Sequence, residues 1–263
     1  MRVIAIIAAY NERRFIAPCL EHLHRQGVET YLLNNDSTDE TQAIAERYLG
    51  SGLIAIERWP RHGMHSWLPI LRHKAELATR LNADWFIHAD PDEVRLPPHS
   101  DTTIAEALTE ADRDGYNAVD FHEFTFVPPQ EDPEHDHVQF AETMRWYYAF
   151  LPQSPHRLSA WRRQPQAVDL ATSGGHAVQF PGRRAYPVMF KMRHYLILSH
   201  AHAVEKWVRR IYDPDQVERG YSRDRAAATP QSIRLPSQAE MRKYIDDDHL
   251  DPSDPSPRHL CFS

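Results

Sequence analysis

Val3 to Ala9 is an unbroken run of seven apolar residues, the pattern of a strand buried on both faces of a parallel sheet. Phe15, Ile16, Leu20 and Leu23 then recur at helical spacing, with Pro18 near the first turn and Gly27 where a helix stops. Glu29 to Leu33 reads as a second strand. In "NNDSTDET", Ser37 and Glu40 have capping-box spacing and predict a helix to about Leu49. "LIAIERW" is a third strand, and His65 to Leu81 a helix with Trp67, Leu68, Leu71, Ala75 and Ala78 inward. "DWFIHAD" is the fourth strand. This alternation predicts an α/β fold with a mostly parallel sheet, right-handed crossovers and flanking helices.

In such sheets ligands sit beyond the carboxyl ends of the strands. "YNER", "NNDSTD" and "DPDE" each fall just past such an end, so the three polar clusters should converge on one rim.

Beyond residue 100 the pattern changes. A helix near Thr102 to Asp112 precedes a long alternating strand, "YNAVDFHEFTFVP", and the polar, proline-rich loop "PPQEDPEHDHVQ". Strands are expected at Trp146 to Phe150, Arg157 to Trp161 and Val188 to Met192, and an amphipathic helix at Ala203 to Ile211. Ser237 and Glu240 cap another helix, and "DDDHLDPSDPSPRH" reads as a loose acidic tail.

The net charge of −7 over 263 residues argues against general nucleic-acid binding, which wants a basic face. The only cysteines, Cys19 and Cys261, lie far apart in sequence, so a disulfide framework is not expected and a cytoplasmic, reducing location is the default. No window has the apolar length of a transmembrane segment, which leaves peripheral membrane contact open.

The crowded carboxylates of "DPDE" repel one another unless a cation neutralises them. Asp90 and Asp92 could grip a hard divalent ion against diphosphate oxygens, which is how magnesium usually engages nucleotides. An apolar strand followed by D-x-D-x-V also looks like the opening motif of haloacid dehalogenase-type phosphatases. There Asp90 would be the nucleophile and Asp92 the general acid, with Lys191 and Asp246 to Asp248 as later motifs. That motif normally opens its domain, whereas three β-α units precede it here. In "AAYNER", Tyr10 offers a ring for a base, Asn11 an amide for base edges, and Glu12 an acceptor for ribose. It is not G-x-G-x-x-G, so a dinucleotide site is not expected.

Together, "AYNE", "LLNNDSTDET" one β-α unit later and "DWFIHADPDE" resemble the family 2-type glycosyltransferases of the GT-A fold. "DGYNAVDFHEFTFVP" and "RHYLILSHAHAVEKWVRR" are similar to a bacterial subgroup of these enzymes. The resemblance implies a Rossmann-like GT-A sheet with a mixed acceptor-side region. Residues 1–100 would be the nucleotide-sugar-binding half, 101–235 the acceptor and catalytic half, and 236–263 a C-terminal helix and tail.

It also implies roles. Ala9, Tyr10, Asn11, Glu12 and Asn35 would line the base and ribose, with Arg72 turned toward the nucleotide. Asn34 stands where many members carry Asp, which leaves UDP or GDP open. Asp90 would face ribose or sugar, and Asp92 would hold Mn2+ or Mg2+. His194 would complete the metal site, with His176 as rival. An inverting reaction needs a group to take the acceptor's proton. Glu123 is the choice, with His176 and Asp169 as alternatives, while His135 and His137 read as solvated. The implied partners are a nucleotide-diphosphate sugar donor and an unidentified acceptor. A GT-A domain that binds nucleotide-sugar or glycan without turnover is the non-enzymatic alternative.

Overall fold

The computed structural model describes residues 1–262. The chain divides into two compact units: Met1–Arg61, Trp67–Phe121 and Pro155–Met192 form the first; His62–Ser66, His122–Ser154 and the chain from Arg193 form the second.

In the first unit β1 (Val3–Ala9), β2 (Val28–Asn34), β3 (Leu53–Arg58) and β4 (Trp85–Ala89) alternate with α1 (Ile16–Arg25), α2 (Thr41–Glu46) and α3 (Trp67–Arg80). β1 lies between β2 and β4, parallel to both, with Val3 level with Val28 and Trp85, and β3 is parallel to β2 on its outer side. β5 (Glu93–Leu96) and α4 (Ile104–Arg113) follow, then β6 (Ala118–Val119). Val3, Ile4, Ala5, Ile6 and Ile7 are all buried, as the apolar run requires of a central strand. The parallel sheet flanked by helices is thus present as expected.

The sheet is completed from far along the chain. β9 (Ala160–Arg162) runs antiparallel to β4 and joins it to β6. The strand expected at Arg157 to Trp161 is therefore shorter and shifted, and residues 155–192 fold with the first hundred.

The second unit centres on antiparallel neighbours. β7 (Phe121–Phe126), all but its first residue in this unit, pairs with β8 (Trp146–Phe150), which pairs with β11 (Arg242–Lys243), and the second half of β10 (Phe190–Tyr195) belongs to this unit as well. Between β7 and β8 lies the short α5 (Phe140–Thr143). The helix expected at Ala203 to Ile211 begins earlier, as α6 (His200–Ala203) capped by Ser199, and continues as a π-helical turn, Val204–Val208. Ser237 and Glu240 do form a capping box, but over a 3-10 turn of three residues rather than a helix.

The acidic tail is not loose. Ser256 donates its N–H to the Ala149 carbonyl at 2.8 Å and accepts from Leu151 N–H at 3.0 Å, and Cys261 is buried. Polar composition mispredicted this stretch because its apolar anchors are few but well placed.

Candidate active site

Because β3, β2, β1 and β4 are parallel neighbours, the loops after them leave from one edge. The first two are stitched together. Asn11, in the left-handed region at φ 57°, donates its N–H to Ser37 Oγ at 3.1 Å, and its Oδ1 accepts from Thr38 N–H at 2.7 Å. Asn11 Nδ2 donates to Thr38 Oγ1 at 3.1 Å, and Glu12 N–H to Thr41 Oγ1 at 2.7 Å. Ser37 therefore does not cap α2, and the helix expected to Leu49 is only the six-residue Thr41–Glu46. Asn11's amide is spent on holding the loops.

Asn35 is used the same way. Its Nδ2 donates to the Trp59 carbonyl at 3.0 Å and its Oδ1 accepts from Arg61 Nη1 at 3.1 Å. The Arg61 guanidinium lies 3.6 Å from the centre of the Tyr10 ring, a cation–π contact that backs one face of that ring. Asp36 accepts from Arg58 Nε at 2.6 Å and from Arg61 N–H at 2.9 Å. Sequence reasoning missed Arg61, although "WPR" follows β3 and so reaches this rim.

The acidic turn after β4 has its own framework. Asp90 N–H donates to Glu93 Oε2 at 3.0 Å, closing the turn. Glu93 Oε2 also takes Arg95 Nη2 at 2.7 Å, and Arg157 Nη1 lies 3.4 Å from Oε1. Arg95 is anchored by Ser159 Oγ at 2.7 Å and the His88 carbonyl at 3.1 Å. Glu93 and Arg95 are buried, with exposures of 3% and 1%. Glu93 is thus a clamp rather than a ligand, as its opposite charges and full enclosure dictate.

Lys74, on α3, is wholly buried in the same place. Its Nζ lies 2.9 Å from His88 Nδ1, 3.2 Å from the Ala89 carbonyl and 3.9 Å from Asp90 Oδ1. Burial lowers its pKa to about 8, against the pull of Asp90 and Glu93. Burial also drives His88 well below its usual range, with Lys74 adding to the effect, so the imidazole is neutral and can accept from the ammonium. Asp90 is pushed up, by burial first and then by Glu93, while Lys74 opposes. Asp90 and Glu93 therefore face three cations (Lys74, Arg95, Arg157), which is how the turn tolerates its charge.

A glycine loop closes over this cluster. Gly175, at φ 92°, approaches so closely that a Cβ there would lie 2.7 Å from His88 Nε2. Trp67 Nε1 donates to the Gly174 carbonyl at 3.0 Å, and His176 stacks on His156 with centroids 4.8 Å apart. Arg72 is exposed on α3. Burial raises the Asp169 carboxyl, but hydrogen bonds from Thr172, the backbone and the charge of Arg72 outweigh it and leave the pKa lowered. Among the basic residues of α3 it is Lys74, not Arg72, that lies beside Asp90.

In the second unit, Glu123 and His194 form a pair: Nδ1 of His194 lies 2.6 Å from Glu123 Oε1, which also accepts from Thr125 Oγ1 at 3.1 Å. Both are buried. His259 packs with its ring 6.3 Å from His194, stacks on Phe150 and lies 2.9 Å from the Tyr148 hydroxyl through Nδ1. His259 lies in the tail and was missed. His135 is buried rather than solvated, bonded to Thr143 Oγ1 at 2.9 Å.

Among the described residues no group of three or more His, Cys, Asp or Glu is placed to hold a metal ion. Asp90 and Asp92 nonetheless fit as a partial set: both are hard oxygen donors, and the Asp90 side chain is 31% exposed although its Oδ1 is enclosed. Magnesium commonly takes one or two carboxylates and completes its shell with water and substrate phosphates.

A parallel sheet with a polar rim at the carboxyl ends of its strands is the framework of a ligand-binding α/β protein. The profile of glycosyltransferase family 92 matches residues 6–155, more than half of the chain, and the chain belongs to that family. The motifs resemble family 2, but the family shown is 92. No curated protein matches the chain. Among solved structures, S. aureus TarS 1-349 in complex with UDP has 11% identity and a TM-score of 0.44, covering 82% of this chain and 68% of its own. A second structure of S. aureus TarS 1-349 has 12% identity and a TM-score of 0.43, covering 86% and 71%. Mannose-1-phosphate geranyltransferase from Thermus thermophilus has 13% identity and a TM-score of 0.30, covering 92% and 69%. No described helix is long and apolar enough to cross a membrane.

Proposed function

We propose that this glycosyltransferase moves a sugar from a UDP- or GDP-linked donor to an acceptor hydroxyl, with divalent-metal dependence and inversion at the anomeric carbon. The observation that carries the reading is the placement of the Asp90–Asp92 turn beside the loops after β1 and β2 in a family 92 chain. Tyr10, backed by Arg61, offers a ring for the base, and Ala9 and Glu12 border it. Asn11 and Asn35 act by shaping these loops, because their amides are already bonded internally. Asp90 presents oxygen to ribose or sugar, and Asp92 holds Mn2+ or Mg2+.

When bound, the ion supplies Lewis-acid stabilisation of the departing diphosphate. The chain's own part is to hold the Asp90–Asp92 turn in place, which the Glu93–Arg95–Arg157 clamp does. The Glu123–His194 pair has the build of a proton acceptor or of an oriented metal-binding imidazole. His176 is the alternative for either role. The phosphatase reading is set aside, because the chain belongs to a glycosyltransferase family.

Calorimetric titration of UDP and GDP with Mn2+, with Mg2+ and with chelator tests this. One nucleotide should bind, about tenfold or more weakly once metal is removed. Equal affinity with and without metal would remove the metal role.

A further inference from the structure

Lys74 is a charged residue on the apolar face of α3, among the buried Leu71, Ala75 and Ala78. Such a charge is costly unless paired, yet its ammonium stands 3.9 Å from the neighbouring carboxylate oxygen, Asp90 Oδ1. A closed ammonium–carboxylate contact is about 2.7–2.9 Å. The ammonium is held instead by His88 Nδ1 and the Ala89 carbonyl, and His88 is wedged by Gly175. Lys74 is therefore fixed independently of Asp90, and Asp90 Oδ1 faces it with no hydrogen-bond partner of its own. The Asp90 side chain is 31% exposed although Oδ1 is enclosed, so its exposure lies on the rest of the side chain.

We propose that Lys74 is the positioning residue of the donor site: anchored on His88 and Ala89, its ammonium draws the inner oxygen of Asp90 inward and so presents the outer oxygen to the donor sugar nucleotide. This rests on the reading of the rim as a nucleotide-sugar site. Lys74 touches no donor; it acts through Asp90.

Two measurements test it on the full chain. In crystal structures without nucleotide, the Asp90 carboxylate should turn to another rotamer in Lys74→Met, with Lys74→Gln as the second variant should Lys74→Met fail to fold. An unmoved carboxylate overturns the proposal. In a double-mutant cycle on binding of UDP- or GDP-sugar with Mn2+, Lys74→Met should weaken binding about tenfold alone and about twofold or less on an Asp90→Asn background. A merely structural Lys74 would cost the same factor in both backgrounds, and that result overturns the proposal. Should the wild type bind neither sugar nucleotide, the proposed function falls, and the orientation of Asp90 in the crystals still decides the role of Lys74.

Discussion

The Nδ1 of His194 lies 2.6 Å from the carboxylate of Glu123, and both side chains are buried in the second unit. A carboxylate so placed fixes the tautomer and orientation of the ring. In the proposed function Glu123, read from sequence as the base, then acts through His194. Glu123→Gln should lower kcat about 10–100-fold while nucleotide affinity changes little. Metal affinity measured on the same variant separates the two roles: a fall marks His194 as a ligand, and no change marks it as the proton acceptor.

Gly175 has no room for a methyl group. At φ 92°, with His88 Nε2 2.7 Å from a notional Cβ, Gly175→Ala combines backbone strain with a clash against a fixed ring. A loss of roughly 2–4 kcal/mol in urea denaturation is expected. Gly63 has nothing within 4 Å of its notional Cβ, so Gly63→Ala at φ 76° should show the cost of backbone strain alone.

Breaking the clamp should cost more than removing either rim asparagine. Arg95→Met takes from the buried Glu93 its close cation, leaving the Asp90 N–H and the longer Arg157 contact, and should destabilise by about 3–5 kcal/mol. Equilibrium unfolding with and without nucleotide checks this, since the deficit should persist in the absence of ligand.

Lys74 gives a signed pH dependence. The unfolded chain holds this proton to about pH 10.4, whereas the folded chain releases it near 8. Between those values the unfolded state binds more protons, so stability contributed by this group rises with pH. From pH 8 to 10 the wild type should gain roughly 1–3 kcal/mol relative to Lys74→Met, read from paired denaturation curves.

The parallel half was legible because its strands are buried on both faces and so appear as apolar runs, with polar loops at their ends. Val3–Ala9 needs no partner to be recognised. The inner side of α3 was read only for its apolar members; Lys74 lies three residues after Leu71 and four before Ala78, so its spacing placed it inward although its charge suggested solvent. Arg157 and Ser159 were not legible, because they reach the acidic turn through β9, a three-residue antiparallel strand too short to give a periodic signal. The Ser37–Glu40 capping spacing misled for a related reason: its hydroxyl is used by Asn11 across the loops. Local patterns report local bonds, and this site is built from long-range ones.

The central claim is that the Asp90–Asp92 turn serves a sugar nucleotide. Its most direct test is nucleoside-diphosphate release from a panel of UDP- and GDP-sugars, with Mn2+, by wild type and Asp92→Asn. The expected result is turnover of at least one donor, abolished by chelator and reduced about 100-fold or more in Asp92→Asn, which remains folded. Turnover that survives both chelation and Asp92→Asn would contradict it.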